Sequence, residues 1–315
     1  MKGIIVSHTV AVPPEIGREH PLRLEPPVAK TSIAGSVREI LGDLVDYRDL
    51  LFQLTLRDIR IRYKQAAMGF GWAIFMPMLI VMAGMLVRFA MAHMSGTTLA
   101  VREIGGLAVK ALPWAFFVGT IQFATVSLTA NMNLVSKVYF PREVLPLSST
   151  LAQGFDSSIG SIALVFALPF LGAQMSWALL WVPLVVLLLV LLTSGVSLFL
   201  SCANLFFRDV KYIVQVLLTF GIFFTPVFFE PAMLGPLGAK VAMINPLAPI
   251  LEGLRLAIID GHNLMVPLHQ TTKAGLDVLA WTPWYLAWSA AWATLGLLGS
   301  MLLFHRAEFV FAEYV

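Results

Sequence analysis

Between Asp156 and Arg208 the chain carries no aspartate, glutamate, lysine or arginine. A helix needs about 20 apolar residues to cross the hydrocarbon layer of a bilayer. The stretch from Ser157 to Phe207 is therefore long enough for two crossings, and Leu171-Gly-Ala-Gln-Met-Ser-Trp177 supplies a break between them. The rest of the chain follows the same pattern. Only 12% of its 315 residues are charged and 58% are hydrophobic, whereas a soluble domain has roughly a quarter charged. The charges fall in clusters between long empty stretches, as a membrane imposes.

Charge-free stretches give six spans: Ala66 to Val87, Ala111 to Ser136, two within Ser157 to Phe207, Tyr212 to Phe229, and Val278 to Phe304. With both termini inside, fifteen of the 21 lysines and arginines fall on the cytoplasmic side. These are the ten before the first span, then Lys137, Arg142, Arg208, Lys211 and Arg306; Arg88, Arg102, Lys110, Lys240, Arg255 and Lys273 fall outside. That excess follows the positive-inside rule. The fold expected is an all-α integral membrane protein with six transmembrane helices, N-in and C-in, its six-span domain covering residues 66–304. Residues 305–315 form a cytoplasmic C-terminus.

Ahead of the first span, Tyr47, Leu50, Leu51 and Leu54 recur at helical spacing before Arg57, Arg60, Arg62 and Lys64. Residues 46–64 read as an amphipathic helix lying at the interface. Residues 1–45 form a cytoplasmic tail, partly disordered, spotted with Pro13, Pro14, Pro21, Pro26 and Pro27. The tail has no apolar run followed by a cleavage site, so no removable signal peptide is expected. From Glu230 to Asp277 the sequence is apolar but interrupted by Pro246, Pro249, Glu252 and Arg255. Short external re-entrant helices fit it, because irregular backbone at membrane depth survives where protein or a cavity shields it; an external loop with an interfacial helix is the alternative.

Several chemistries are absent. The phosphate-cradling pattern G-x-x-x-x-G-K-[ST] does not occur, and no Gly-Lys dipeptide exists in the chain, so the chain is not an ATPase and binds no nucleotide cofactor of its own. His8, His20, His93, His262, His269 and His305 are scattered, and Cys202 is alone. No metal site, disulfide or catalytic residue is expected. The net charge of +3 does not indicate nucleic acid, because the basic residues flank apolar spans. Asp156 is the only acid inside an apolar stretch; it reads as structural, solvated near the cytoplasmic side or bonded to a neighbouring helix. Proton-driven carriers bury several acids or histidines along their spans, and these spans have almost none. The energy must come from an associated ATPase docking on the cytoplasmic loops.

Four segments then carry a resemblance. Leu56-Arg-Asp-Ile-Arg-Ile-Arg-Tyr-Lys-Gln-Ala-Ala-Met-Gly-Phe-Gly-Trp72, with Pro77 following, resembles the approach to span one in polysaccharide-exporting type-2 ABC permeases. Leu134-Val-Ser-Lys-Val-Tyr-Phe-Pro-Arg-Glu-Val-Leu-Pro-Leu-Ser-Ser149 is similar to the family's loop after span two, and Asn204-Leu-Phe-Phe-Arg-Asp-Val-Lys-Tyr212 to its loop after span four. Asn245-Pro-Leu-Ala-Pro-Ile-Leu-Glu-Gly-Leu-Arg255 is the fourth match. The resemblance implies a homodimer paired with two ATPase subunits, which bind ATP and magnesium. It also implies passage of a lipid-linked polysaccharide such as O-antigen across the bacterial inner membrane. Capsule and teichoic acid exporters share the pattern, and a lipid or drug exporter would keep the architecture while matching the four segments poorly.

By position, the resemblance assigns ATPase coupling to Lys137, Tyr139, Phe140, Arg142, Glu143, Phe207, Arg208, Asp209 and Lys211. Tyr139, Phe140 and Phe207 suit a groove, with the charged residues fixing register at its rim. Arg57, Arg60, Arg62, Tyr63 and Lys64 form the interfacial surface that would receive the substrate diphosphate, although attraction to anionic headgroups explains the same cations. Sugars rest their CH faces on aromatic rings, so the conduit candidates are Trp72, Phe75, Trp114, Phe116, Phe117, Phe123, Phe220, Phe223, Phe224 and Phe228. Packing against lipid or a neighbouring helix is the competing role for each.

Overall fold

The computed structural model describes residues 33–308 apart from 65, 95, 97, 139, 272–274 and 276. The tail up to residue 32 and residues 309–315 lie outside them. Eleven helices occur among the described residues: α1 (Ile33–Asp46), α2 (Arg48–Tyr63), α3 (Gly71–Met94), α4 (Val101–Ala130), α5 (Met132–Lys137), α6 (Val144–Ala167), α7 (Val182–Phe206), α8 (Val210–Phe224), α9 (Gly235–Ala242), α10 (Leu247–Ile258) and α11 (Pro283–Glu308). Strands β1 (Leu268–Thr271) and β2 (Asp277–Trp281) pair antiparallel between α10 and α11.

Among the described residues five helices are long and apolar enough to cross a membrane: α3, α4, α6 with the turn that extends it, α7 with the turn that precedes it, and α11. The chain is thus a mostly helical, multi-pass membrane protein. The sixth expected span, Tyr212 to Phe229, forms only the 15-residue α8. Fifteen residues rise about 22 Å, short of a hydrocarbon layer of about 30 Å.

The break expected within Leu171–Trp177 lies where α6 hands over to α7. Gly172 adopts φ 74°, and its N–H closes the last turn on the Leu168 carbonyl. Ser176 caps the following turn by accepting from the Ala178 N–H. Other boundaries differ from the charge-free stretches. α3 runs through Arg88, α4 contains Arg102, Glu103 and Lys110, and α6 contains Asp156. A charge ends a membrane helix only if it has no partner inside the protein, and each of these has one. The last helix starts at Pro283, not Val278, because Val278 to Trp281 belong to β2. This hairpin departs from an all-α chain. It is held by burial of Val278 and Ala280 against Ala232 and Ala239, and by the Trp281 indole N–H donating to the Leu264 carbonyl at 2.9 Å. The segment 46–64 is occupied by the single helix α2, and a separate helix, α1, precedes it from Ile33 to Asp46.

α4 and α7 form the buried centre, α6 and α11 flank them, and α3 and α8 lie outermost. Two apolar cores result. One gathers Trp114 and Phe116 of α4, Leu188 and Leu192 of α7, most of α10 and Trp281. The second, at the α2 end, joins Leu54, Phe140, Leu198, Leu205 and Phe304. At the opposite, hairpin end sit α9, α10 and the strands.

α7 and α11 form the most extensive helix pair, with Gly195 at its tightest point. A Cβ there would stand 2.9 Å from the Leu297 backbone, whereas one at Gly299 meets nothing within 4 Å. Gly195→Val should lower the melting temperature of the detergent-purified chain, with an overpacking cost of about 1–3 kcal/mol. Gly299→Ala should leave it unchanged; equal melting for both would show that α7 and α11 are not pressed together.

Candidate functional site

At the α2 end, the cations of the interfacial helix have divided roles. Arg57 pairs with its neighbour Asp58 at 2.9 Å. Arg62 reaches across to α6, where Nη1 donates to Asp156 Oδ2 at 2.6 Å and to Gln153 Oε1 at 2.8 Å. Tyr63 donates its hydroxyl to Asp156 Oδ1, also at 2.6 Å. The Arg62 guanidinium lies 3.9 Å from the centroid of Phe123 on α4, a cation–π contact. Burial, then the hydrogen bond to Asp156, pushes the Tyr63 phenol above its ordinary range. Both oxygens of Asp156 are thus engaged, which is how a buried carboxylate is tolerated. The acid is a bolt fastening α2 onto α6 and α4. Arg60 and Lys64 remain exposed.

The expected coupling residues also separate. Phe207, Arg208, Asp209 and Lys211 are exposed at the turn between α7 and α8, and Lys137 is exposed at the end of α5. The turn is braced by Asn204, which accepts from the Lys211 N–H at 3.2 Å and donates to Thr129 on α4 at 3.4 Å. Phe140 and Glu143, by contrast, are buried, Phe140 inside the second core and Glu143 with its carboxylate 4.0 Å from His305 Nδ1 on α11. They anchor the loop from within. Arg142 is half-buried, and Tyr139 lies outside the described residues. One apolar core joins α2, the loop after α5 and the ends of α7 and α11, so the surfaces singled out by sequence share one rigid base.

The aromatics fall into two sets. Trp114, Phe116 and Phe228 are packed within the chain. Trp114 and Phe117 border an apolar groove of about 550 Å³ between α4, α7, α8 and α11. Phe123 is taken by Arg62. Trp72 on α3 and Phe220, Phe223 and Phe224 on α8 are exposed, with Phe75 half-buried beside Trp72 at a ring separation of 5.6 Å.

The hairpin end holds a feature that sequence reasoning missed: four cations and four carboxylates gathered in and around the protein interior. Arg88 of α3 donates from Nε to the Phe228 carbonyl at 2.8 Å and pairs with Glu103 and Glu230 at 3.2 and 3.3 Å. Arg255 of α10 binds Glu252 at 2.6 Å and Asp260 at 2.8 Å, and Arg102 shares Asp260 at 2.7 Å. Lys110, fully buried on α4, donates to the Phe229 carbonyl at 2.7 Å and stands 3.8 Å from Glu252. Gly106 leaves room for the Arg255 side chain, whose Cδ would lie 3.2 Å from a Cβ there. Burial works to raise the Glu230 carboxyl, but Arg255, Lys110 and Arg88 outweigh it and hold the group below the ordinary carboxylate range. The signal in the sequence was the Glu252/Arg255 spacing inside an apolar segment, with Arg88 and Lys110 bordering apolar runs.

Among the described residues no three histidine, cysteine or acidic side chains cluster as metal ligands. Residues 49–259 match the ABC-2 type transporter family. Three relatives bear the name O-antigen export system permease protein RfbA, two from Klebsiella pneumoniae and one from Myxococcus xanthus. One of those from Klebsiella pneumoniae is 28% identical over 214 residues, 68% of this chain and 81% of the relative. The one from Myxococcus xanthus is 27% identical over 228 residues, 71% of this chain and 85% of the relative.

Proposed function

The chain belongs to the ABC-2 type transporter family, and from that premise we propose that it is the permease subunit of an exporter carrying O-antigen across the bacterial inner membrane, driven by a separate ATPase. The observation that carries this reading is the family match over residues 49–259 in a chain without a phosphate-cradling motif. The substrate follows from the relatives' role in O-antigen export.

In this reading both termini are cytoplasmic, α8 and the segment up to Phe229 make the sixth crossing, and the α2 end faces the cytoplasm. Two copies of the chain pair with two ATPase subunits. The exposed Phe207, Arg208, Asp209 and Lys211, with Lys137, form the contact face, while Phe140 and Glu143 transmit its motion into the core. Arg60 and Lys64 are the cations left to meet a substrate diphosphate. The exposed rings of α3 and α8 suit a sugar chain passing between two copies.

Deleting the coding region should abolish surface O-antigen and leave the glycan inside the cell, with restoration by the intact chain. Unchanged surface O-antigen would overturn the reading, and loss of a capsule or teichoic acid instead would move the cargo to that class. Phe207→Ala should weaken retention of the ATPase on the immobilised permease by about 2 kcal/mol; undiminished retention would remove Phe207 from the contact.

A further inference from the structure

Lys110 has one more opportunity than it uses. Its ammonium carries three donors and is fully buried, yet its hydrogen bond goes to the Phe229 carbonyl at 2.7 Å, in the segment that follows α8. On its other side, 3.8 Å away, lies Glu252 Oε2 on α10, a buried carboxylate oxygen without a hydrogen-bond partner. The opposite oxygen, Oε1, accepts from both Nε and Nη2 of Arg255. A buried charged oxygen left unsatisfied is costly. A shift of roughly an ångström would bring Lys110 within bonding distance of it.

The two alternatives sit on elements of different mobility. α8 is loosely held, with Val214 its one buried residue, and it starts directly after the exposed turn Phe207 to Asp209. α10 is buried along almost its whole length. α8 therefore spans the distance from the proposed ATPase contact to Lys110, and Lys110 stands between its far end and α10.

We propose that Lys110 and Glu252 are positioning residues for export: the ammonium exchanges the Phe229 carbonyl for Glu252 Oε2, so that displacement of α8 is handed to α10 and the hairpin end. This rests on the transport reading above. The neighbouring cations tolerate the exchange because they have partners of their own. Arg88 keeps the Phe228 carbonyl, Glu103 and Glu230, and Arg255 keeps Glu252 Oε1 and Asp260.

The test uses the whole permease–ATPase complex in lipid nanodiscs, with spin labels at exposed positions. One pair reports α8 (Val216→Cys with Leu180→Cys) and the other reports the start of α10 (Ile244→Cys with Leu180→Cys). In the parent, trapping with a non-hydrolysable ATP analogue should shift both distances. Glu252→Gln keeps the shape and removes the charge that draws Lys110. In complex that assembles it should retain the α8 shift, lose the Ile244 shift and reduce surface O-antigen at least tenfold. Lys110→Met, in which Arg255 still holds Glu252, should behave the same and serves if Glu252→Gln fails to assemble. An Ile244 shift that persists in either assembled variant, or undiminished export, would overturn the exchange. A parent in which neither pair responds and no glycan is exported would instead defeat the transport reading itself.

Discussion

Asp156→Ala should destabilise the permease by roughly 3–5 kcal/mol, the usual result of removing one partner from a buried ion pair. The substitution leaves the Arg62 guanidinium, only 14% exposed, wedged between α4 and α6 with Gln153 and the face of Phe123 as its remaining contacts. Tyr63 loses its acceptor at the same moment. α2 is expected to lift from α6, and limited proteolysis of membrane vesicles should cut between α2 and α3 at a rate several times that of the parent. Export should fall with it, because α2 shares its apolar base with the loop that holds Phe140. Tyr63→Phe removes one hydrogen bond and leaves the ion pair, so its cost should be nearer 0.5–1.5 kcal/mol. Asp156→Ala with parental melting and parental cleavage would mean that the carboxylate is no bolt.

The membrane class of this protein was legible because a bilayer forbids unpaired charge, and a run such as Ser157 to Phe207 has few other homes. The same rule misplaced helix ends. Treating every charge as a boundary put Lys110 outside α4 and Arg88 outside α3, although both are interior to their helices. Pairing information is three-dimensional: Arg88 meets Glu230 and Lys110 meets Glu252 across more than a hundred residues of sequence. Asp156 shows the opposite case, since a lone acid in an apolar helix requires a partner and the nearby cations of α2 were on the page. Which of four similar cations would turn inward was not legible, because Arg57, Arg60, Arg62 and Lys64 differ only in their phase along α2. The hairpin was hidden in a different way. Val278 to Trp281 are as apolar as the helix they precede, and only Pro283 and the need of the Trp281 indole for an acceptor mark the change.

Arg255→Met should be the most damaging single change in the chain. Arg255 holds Glu252 and Asp260 directly and stands 3.9 Å from Glu230. The cluster of Arg88, Arg102, Lys110 and Arg255 with Glu103, Glu230, Glu252 and Asp260 is balanced in charge, and this substitution leaves it with an uncompensated negative charge. Glu252 is 1% exposed and would retain only the Lys110 ammonium at 3.8 Å. Breaking such a buried arrangement costs roughly 3–5 kcal/mol, a large part of the 5–15 kcal/mol by which domains are ordinarily stable. The variant should therefore fail to accumulate in the membrane fraction at 37 °C, by immunoblot against the parent. Adding Glu252→Met restores charge balance and fills the space with apolar atoms, so the double variant should recover membrane levels. It should still not export, because the oxygen that Lys110 exchanges onto is gone. Recovery of both level and export would show that the cluster only holds the fold together, whereas Arg255→Met accumulating like the parent would show that the hairpin end does not depend on this guanidinium.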